Sequence, residues 1–224
     1  MKRLVLGSAS PRRAFLLREC GFEFDIRPSH TDEGFDEQLT PGSVPLLLAV
    51  RKWKAGLGTL EAAECMLTAD TVVILNDKIL NKPADEAEAV RMLTELSGNT
   101  HQVITGVCMG HSDMEPVKIE VRSFVTFNPL TKKEILDYVR TFRPLDKAGA
   151  YGAQECLAPE TDPCSPEEKV FIQQLGLDGI IARSKPDDLR SAPMTAIQEI
   201  EGPYFNVMGL PIAEIHGTLK ELLS

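Results

Sequence analysis

Long apolar runs and cysteines are both scarce in this sequence, and each scarcity excludes a class of protein. No run of about 18 apolar residues occurs, and no apolar leader precedes the first predicted strand, so we expect neither a transmembrane helix nor a signal peptide. The five cysteines are odd in number and form no CxxC pair, which argues against a disulfide framework or a zinc site. We therefore expect a cytoplasmic protein, where thiols stay reduced.

Positive charge is also in short supply. The 224-residue chain has 24 Lys and Arg against 33 Asp and Glu, a formal net charge of −9. Such a surface repels nucleic acid polymers and anionic membranes, so we expect neither as a partner. The signatures GxxxxGK[ST], GxGxxG and HExxH are missing as well. Any cationic cluster is therefore local and stands out against an acidic background.

What the sequence does contain is a mixture of strand and helix patterns without strict alternation, which predicts an α/β fold with a mixed sheet and flanking helices. Apolar runs predict strands at 4–6, 22–28, 66–75, 101–109, 118–127 and 195–202, with a short return strand after the turn at 76–77. Cap residues and helical spacing predict helices near 10–21, 45–57, 84–98, 131–141, 165–176 and 211–223. Residues 29–41, 144–154 and 203–210 are predicted loops.

The helix predicted at 45–57 has an apolar stripe. Its predicted buried face comprises Leu46, Ala49, Val50, Trp53 and Leu57. The strand predicted at 22–28 alternates apolar and polar residues, which is typical of a half-buried strand.

The segment SASPRR, at residues 8–13, places two cations at the start of a helix, with Ser10 as the cap and Pro11 as the first helical residue. Because a helix N-terminus already carries partial positive charge, Arg12 and Arg13 are unfavourable there unless an anion lies in front of them. Backbone N–H groups, serine hydroxyls and guanidinium groups would then converge on phosphate oxygens. The alternative is a pair of solvated surface arginines.

Two carboxylates are candidates for catalysis or metal binding. Asp70 is predicted at or near the entry end of an apolar strand, where an ionised carboxylate is costly unless it is paired or metal-bound. The alternative is that Asp70 faces solvent. Glu33 lies in an acidic loop and could add a second oxygen ligand for Mg²⁺, or it could simply be solvated.

Three lysines complete the candidate site. Lys52 precedes Trp53 beside the apolar face of a helix, and Lys82 lies between a strand and a helix. Lys147 precedes the small residues of AGAYGAQ, which would let backbone approach a ligand closely. Any one of them alone is more often a solvated lysine, but together with the two arginines they would neutralise a polyphosphate.

In this order, the motifs resemble those of the Maf-like nucleoside triphosphate pyrophosphatases, and the resemblance covers nearly the whole chain. The matching segments are S-x-S-P-R-R at 8–13, Glu33, Lys52, ADTVV at 69–73, KP at 82–83, LSGNTHQVITGV at 96–107, DKAGAYGAQ at 146–154 and NVMGLP at 206–211.

The resemblance implies an elongated mixed sheet flanked by helices, with a deep nucleotide cleft between two lobes. It also implies hydrolysis of a nucleoside triphosphate between the α and β phosphates, with Mg²⁺ or another divalent cation such as Mn²⁺ as cofactor. It assigns catalysis and metal binding to Asp70 and Glu33, and phosphate binding to Ser8, Arg12, Arg13, Lys52, Lys82 and Lys147. Dimers are common in the family, so a homodimer is a further expectation.

Substrate class follows from three positions. One branch of the family carries Arg, Thr and Gln there and prefers dTTP and UTP, and this chain has Arg12, Thr71 and Gln154. A glutamine amide has a donor and an acceptor, which suits the O4 and N3–H edge of uracil or thymine. Modified pyrimidine nucleotides are possible further substrates.

Residues 155–193 depart from the pattern, because the family's closing motif usually follows the glutamine after a few residues. We therefore predict one Maf-like domain over residues 1–224 with an insertion at about 155–193, which could extend the cover over the base or form a partner surface. Two other hypotheses stay open at this point. One is a nucleotide-sensing regulator without turnover, since Maf-like proteins are linked to septum formation and cell division. The other is a phosphate-binding α/β domain of different chemistry.

Overall fold

Seven strands form one sheet in the part of the chain that the structure describes. The computed structural model describes residues 2–29, 31–32, 34–36, 38–158, 161–185 and 194–224. The strands are β1 (Arg3–Leu6), β2 (Phe24–Ile26), β3 (Glu64–Leu75), β4 (Lys78–Leu80), β5 (Thr100–Gly110), β6 (Val117–Phe127) and β7 (Ile197–Glu201). Their order is β2-β1-β3-β5-β6-β7, and β4 pairs with the far end of β3. The sheet is mixed, because β1 is parallel to β2 and β3 while the other pairs are antiparallel.

Helices cover both faces of this sheet. They are α1 (Pro11–Glu19), α2 (Val44–Gly56), α3 (Glu86–Leu96), α4 (Lys132–Phe142), α5 (Ala153–Cys156), α6 (Pro166–Leu175), α7 (Ile180–Ser184), α8 (Tyr204–Val207) and α9 (Ile212–Leu223). One face packs against α2, and the other packs against a larger core to which most of the remaining helices contribute. The predicted mixed sheet with flanking helices is confirmed. Within the described residues, no helix is both long enough and apolar enough to span a membrane.

Several local predictions are confirmed because their causes lie within a few residues. Thr131 and Glu134 form a capping box at the start of α4, and Ser165 and Glu168 form one at the start of α6. The turn at 76–77 has left-handed backbone at both residues, which matches the right-handed twist of the β3–β4 hairpin.

Four local predictions are wrong in detail. The strand predicted at 22–28 shortens to β2, and Ile26 is exposed because β2 is the outermost strand of the sheet. Part of the loop predicted at 203–210 forms the short helix α8, and part of the loop predicted at 144–154 forms the start of α5. Asp70 lies in the middle of β3 and not at its entry, because the strand begins at Glu64.

The buried face of α2 is also rotated from the predicted one. Ala49 and Trp53 are buried as predicted, but the other buried residues are Val44, Pro45, Leu48 and Gly56. The first turn of the helix lies directly on β5 at Gly106, where a Cβ atom would collide with the backbone of Leu46. The rotation follows from this backbone contact, which cannot be predicted from the spacing of apolar residues along the helix.

The segment at 155–193, predicted as an insertion, contributes to the larger core wherever the structure describes it. Cys156, Leu157, Cys164, Leu177 and Ile180 all belong to the same apolar cluster as the centre of the sheet. The description of the segment as an insertion into a single domain stays a prediction.

The contact between Gly106 and α2 yields a stability prediction. We expect Gly106→Ala to destabilise the fold by about 3 kcal/mol, because neither the helix backbone nor the strand backbone can move aside cheaply. Chemical denaturation measures the change. Gly58→Ala is the matched control, since no atom lies within 4 Å of an added Cβ there. Equal effects of the two substitutions would contradict the tight packing of α2 on β5.

Candidate active site

A cavity of about 420 Å³ opens at the point where β1 ends and β3 continues. The last β1–β3 pair is Leu6 with Leu67, and Gly7 extends the pairing by one hydrogen bond to the Leu67 carbonyl. Just beyond this point β3 has no neighbouring strand on that side, and its residues Asp70 and Thr71 line the cavity. The carboxyl end of a strand that leads into a helix is a common ligand site in open α/β sheets.

The alternation of β3 directs two successive side chains to opposite faces of the sheet. Val72 and Ile74 face α2, so Asp70 faces α2 as well, whereas Ala69 and Val73 face the larger core together with Thr71. The cavity therefore exposes a carboxylate on one side of β3 and a hydroxyl on the other.

Asp70 is buried and paired with Lys52, whose ammonium group donates a hydrogen bond to its Oδ1. The pair exists because Asp70 lies opposite Gly106 on β5, and the absence of a side chain at Gly106 lets α2 approach the sheet. The alternative of a solvent-facing Asp70 is wrong, because a neighbouring helix supplies a cation to it. The pairing also excludes a solvated Lys52, whose side chain is only 12% exposed.

The helix start at residues 8–13 places its two arginines differently. Ser10 caps α1, and Arg13 turns inward, where its guanidinium is buried. Arg13 donates hydrogen bonds to Ser8 Oγ at 2.9 Å, to the Ala69 carbonyl at 2.9 Å, to the Gly209 carbonyl at 2.8 Å and to Thr71 Oγ1 at 3.1 Å. A solvated arginine pair is therefore wrong for Arg13. Its charge is shared among four protein acceptors that surround the cavity.

Arg12 faces a loop across the cavity. Its guanidinium pairs with Asp146 at 3.2 Å, and Lys147 pairs with the same carboxylate at 3.1 Å and with Glu155 at 3.4 Å. Burial alone would raise the pKa of Asp146, but Lys147 and Arg12 outweigh burial and hold that pKa below its ordinary value. The loop after α4 is thus tied to the start of α1 by charge.

Lys82 and Gln154 complete the lining. Lys82 is exposed at the rim, just after β4. Gln154 lies in α5 with only 7% of its surface exposed, and its Oε1 has no hydrogen-bond partner among the described residues. A buried amide oxygen without a partner is costly, which suits a position that a ligand completes.

The structure thus brings together nearly all the residues predicted from the sequence. The cavity is lined by Ser8, Arg12, Arg13, Lys52, Asp70, Thr71, Lys82, Lys147 and Gln154. Glu33 lies outside the described residues, so its predicted catalytic and metal-binding roles stay predictions.

Asp146, Met208 and Gly209 also line the cavity but were not predicted from the sequence. All three lie within motifs that carry the family resemblance. The signal for Asp146 was an acidic residue directly before a candidate phosphate-binding lysine. Gly209 has a positive φ of 105°, but its backbone carbonyl left no trace in the pattern of side chains.

The charge of the cavity is opposite to that of the whole protein. Five cationic side chains and two carboxylates, Asp70 and Asp146, line its described part, whereas the chain carries a net charge of −9. Together with the capped start of α1, this local excess of positive charge fits a polyanion.

The donor set also fits a hard divalent cation. Mg²⁺ typically takes one or two carboxylates and completes its shell with phosphate oxygens and water. Asp70 supplies one such carboxylate inside the cavity. Among the described residues, no cluster of three or more His, Cys, Asp or Glu forms a dedicated metal cage.

Known proteins that are similar to this chain include one matching family and several curated relatives. A family model described as "Maf-like protein" matches residues 3–160, more than half of the chain. A dTTP/UTP pyrophosphatase of Porphyromonas gingivalis is 38% identical over 222 residues, which cover 98% of this chain and 94% of that protein. A dTTP/UTP pyrophosphatase of a Geobacillus species is 37% identical over 222 residues, which cover 99% of each protein.

Two solved structures align with part of the chain. A nucleoside-triphosphatase, also described as a dITP/XTP pyrophosphatase, from Mycobacterium abscessus is 14% identical with a TM-score of 0.37, over 57% of this chain and 75% of that one. A HAM1 protein from Coxiella burnetii is 15% identical with a TM-score of 0.37, over 55% of this chain and 71% of that one. Both similarities are too partial to support an inference.

The different environments of the two arginines yield a prediction. We expect Arg13→Lys to destabilise the fold by about 1–3 kcal/mol, because an ammonium group cannot reach the four acceptors that the guanidinium joins. Arg12→Lys, the matched control, should change the unfolding free energy by less than about 0.5 kcal/mol, since its pair with Asp146 is partly exposed. Denaturant titration of the two variants compares them, and equal losses would contradict a structural role specific to Arg13.

Proposed function

This chain belongs to the Maf-like family, and we propose that it is a nucleoside triphosphate pyrophosphatase that hydrolyses dTTP and UTP to the monophosphate and pyrophosphate. The observation that carries the proposal is the cavity itself. Five cationic side chains and Asp70 converge in it, although the protein as a whole is acidic. Relatives described as dTTP/UTP pyrophosphatases align with nearly the whole chain, which supports the substrate class. Modified pyrimidine nucleotides are further candidate substrates.

The phosphates are proposed to bind at the start of α1 and across to the loop after α4. A triphosphate carries more negative charge than Asp146, so it competes for Arg12 and Lys147. Lys52 and Lys82 approach from two other sides of the cavity. Arg13 contributes its charge at the base of the site and holds Ser8 in place there. Charge neutralisation and positioning supply most of the catalysis in phosphoryl transfer.

Asp70 is proposed as the general base. Its carboxylate points into the cavity from β3 and accepts a hydrogen bond from the ammonium group of Lys52. An ionised carboxylate can orient a water molecule and accept its proton as the water oxygen attacks the α-phosphorus. The bond from that phosphorus to the bridging oxygen then breaks, and pyrophosphate leaves.

We further propose that a divalent cation, Mg²⁺ or Mn²⁺, binds with the substrate. Asp70 would hold it, together with Glu33 if that residue reaches the cavity. Such an ion supplies neutralisation of the triphosphate charge when it is bound.

The nucleobase of the substrate is proposed to lie against Gln154. The unpartnered Oε1 is an acceptor, and the amide nitrogen is a donor, which matches the N3–H and O4 of uracil or thymine. Thr71 and Arg12 are the other two positions that point to a pyrimidine. A cytoplasmic location and a homodimer remain predictions that rest on the family resemblance.

The test is a pyrophosphate-release assay over a panel of nucleoside triphosphates with Mg²⁺. We expect the highest kcat/KM with dTTP and UTP. Preference for purine nucleotides would refute the assigned substrate class. Tight binding of dTTP without release of pyrophosphate would favour the alternative of a nucleotide-sensing regulator.

A substitution tests the role of Asp70. We expect Asp70→Asn to lower kcat by roughly 100-fold or more, because an amide cannot accept the proton of the attacking water. Steady-state kinetics with dTTP measure the loss. The control is Asp77→Asn, the same change at an exposed position in the turn after β3. Near-normal turnover in Asp70→Asn would remove this residue from the chemistry.

A second substitution tests the role of Gln154. We expect Gln154→Leu to reduce the ratio of kcat/KM between UTP and CTP by roughly 10-fold or more, because the two bases differ at the edge that the amide would contact. The comparison of two substrates in one variant cancels general effects on folding. An unchanged ratio would exclude Gln154 from recognition of the base.

A further inference from the structure

A buried carboxylate in the segment at 155–193 has no role in the proposed chemistry. Glu168 lies in the first turn of α6 with none of its surface exposed. In the described part of the chain it forms no ion pair with a cation, and its recorded hydrogen bonds all come from backbone N–H groups. A carboxylate without a cation in such a place needs these donors to offset its burial.

Glu168 joins the N-termini of two helices. Its Oε2 accepts from Ser165 N at 3.0 Å, which closes the capping box of its own helix. Oε2 also accepts from Tyr204 N, and Oε1 accepts from Phe205 N, both at 2.7 Å. Tyr204 and Phe205 begin α8, whose preceding residue, Pro203, offers no side-chain cap. Glu168 therefore supplies from a distant segment the cap that α8 lacks.

The short helix α8 leads directly to the cavity. Leu210 N donates to the Phe205 carbonyl at 3.1 Å, and Gly209 N donates to the Asn206 carbonyl at 2.9 Å. These bonds determine the direction of the Gly209 carbonyl, which accepts from Arg13 Nε at 2.8 Å. The same carbonyl accepts a longer bond, 3.4 Å, from Thr71 Oγ1.

A second anchor holds α8 from the sheet. The side-chain amide of Asn206 donates to the Val103 carbonyl at 3.0 Å and to Ser123 Oγ at 2.9 Å. Asn206 attaches the middle of α8 to β5 and β6, whereas Glu168 holds its first turn. The orientation of the Gly209 carbonyl therefore depends on both anchors, and Glu168 is the one that comes from the segment beyond the matched family region, which ends at residue 160.

We propose that Glu168 is a positioning residue for the nucleotide site: by capping α8 it aims the Gly209 carbonyl at Arg13 and so fixes the guanidinium against Ser8 and Thr71. The segment around α6 thereby sets the geometry of the phosphate-binding end of the cavity without touching substrate. The consequence for catalysis rests on the proposed function, whereas the effect on Arg13 does not.

The first test needs no substrate. The Arg13 Nε–H signal is followed by ¹H–¹⁵N NMR and assigned by its disappearance in Arg13→Lys. Glu168→Gln should shift or broaden this signal, because an amide places a donor against one of the backbone N–H groups. The matched control is Glu167→Gln, an exposed neighbour on the same turn. Burial raises the pKa of Glu168 to about 7 despite its backbone hydrogen bonds, so the measurement is made at about pH 8, where the carboxylate is mostly ionised.

The second test is a double-mutant cycle with the dissociation constant of α,β-methylene-dTTP as its readout. Glu168→Gln should weaken binding roughly 10-fold in the wild-type background and have almost no effect in the Arg13→Lys background, because both changes remove the same link. If the two substitutions instead weaken binding by independent factors that multiply in the double variant, Glu168 acts only on general stability and the proposal is overturned. An Arg13 signal that moves no more than in Glu167→Gln would overturn it too.

Two further arms keep the outcomes distinct. If Glu168→Gln does not fold, Glu168→Asp replaces it, since a shorter carboxylate keeps the charge but cannot span to both Tyr204 N and Phe205 N. If the wild-type protein binds dTTP without hydrolysing it, the proposed enzymatic function fails, while the NMR signal and the binding cycle still decide the role of Glu168.

Discussion

The buried guanidinium of Arg13 is the interaction on which the cleft depends. It joins the chain after β1, the middle of β3 and the turn after α8, three segments that are far apart in the sequence. A planar group with several fixed donors can hold such segments at set distances, which a flexible ammonium group cannot. The same contacts explain why a cation is tolerated in the first turn of a helix. Its charge is shared among oxygen acceptors and is not left facing the positive end of the helix dipole.

Three of the remaining cations of the cleft are paired with carboxylates. Lys52 is paired with Asp70, and Arg12 with Asp146. Without such partners, the cluster would repel itself and oppose folding. The Arg12–Asp146 pair joins two sides of the cavity, and Lys147 shares the same exposed carboxylate, so under the proposed function a polyphosphate would exchange with these pairs at little cost. The Lys52 pair is more buried and belongs to the packing of α2 on the sheet.

Local features of the fold could be predicted because their causes are local. The capping box that begins with Thr131 and the hairpin turn at 76–77 depend on residues within one or two turns of chain. Two features that depend on distant partners were predicted wrongly. The loop predicted at 203–210 contains a helix because Glu168, more than thirty positions earlier, caps it. The buried face of α2 is rotated because Gly106 admits the helix backbone.

The sequence by itself determined which residues are candidates for the chemistry, because their types, order and spacing resemble a known family and their charges oppose the acidic background. Only the tertiary structure decided what each of them does in the fold. Asp70 and Thr71 are neighbours in sequence but face opposite sides of β3, so one meets Lys52 and the other meets Arg13. Two adjacent arginines likewise divide into a buried link and a partly exposed pair. The reason is physical: charge and hydrogen-bonding capacity belong to the residue, whereas its partners are set by how strands and helices pack.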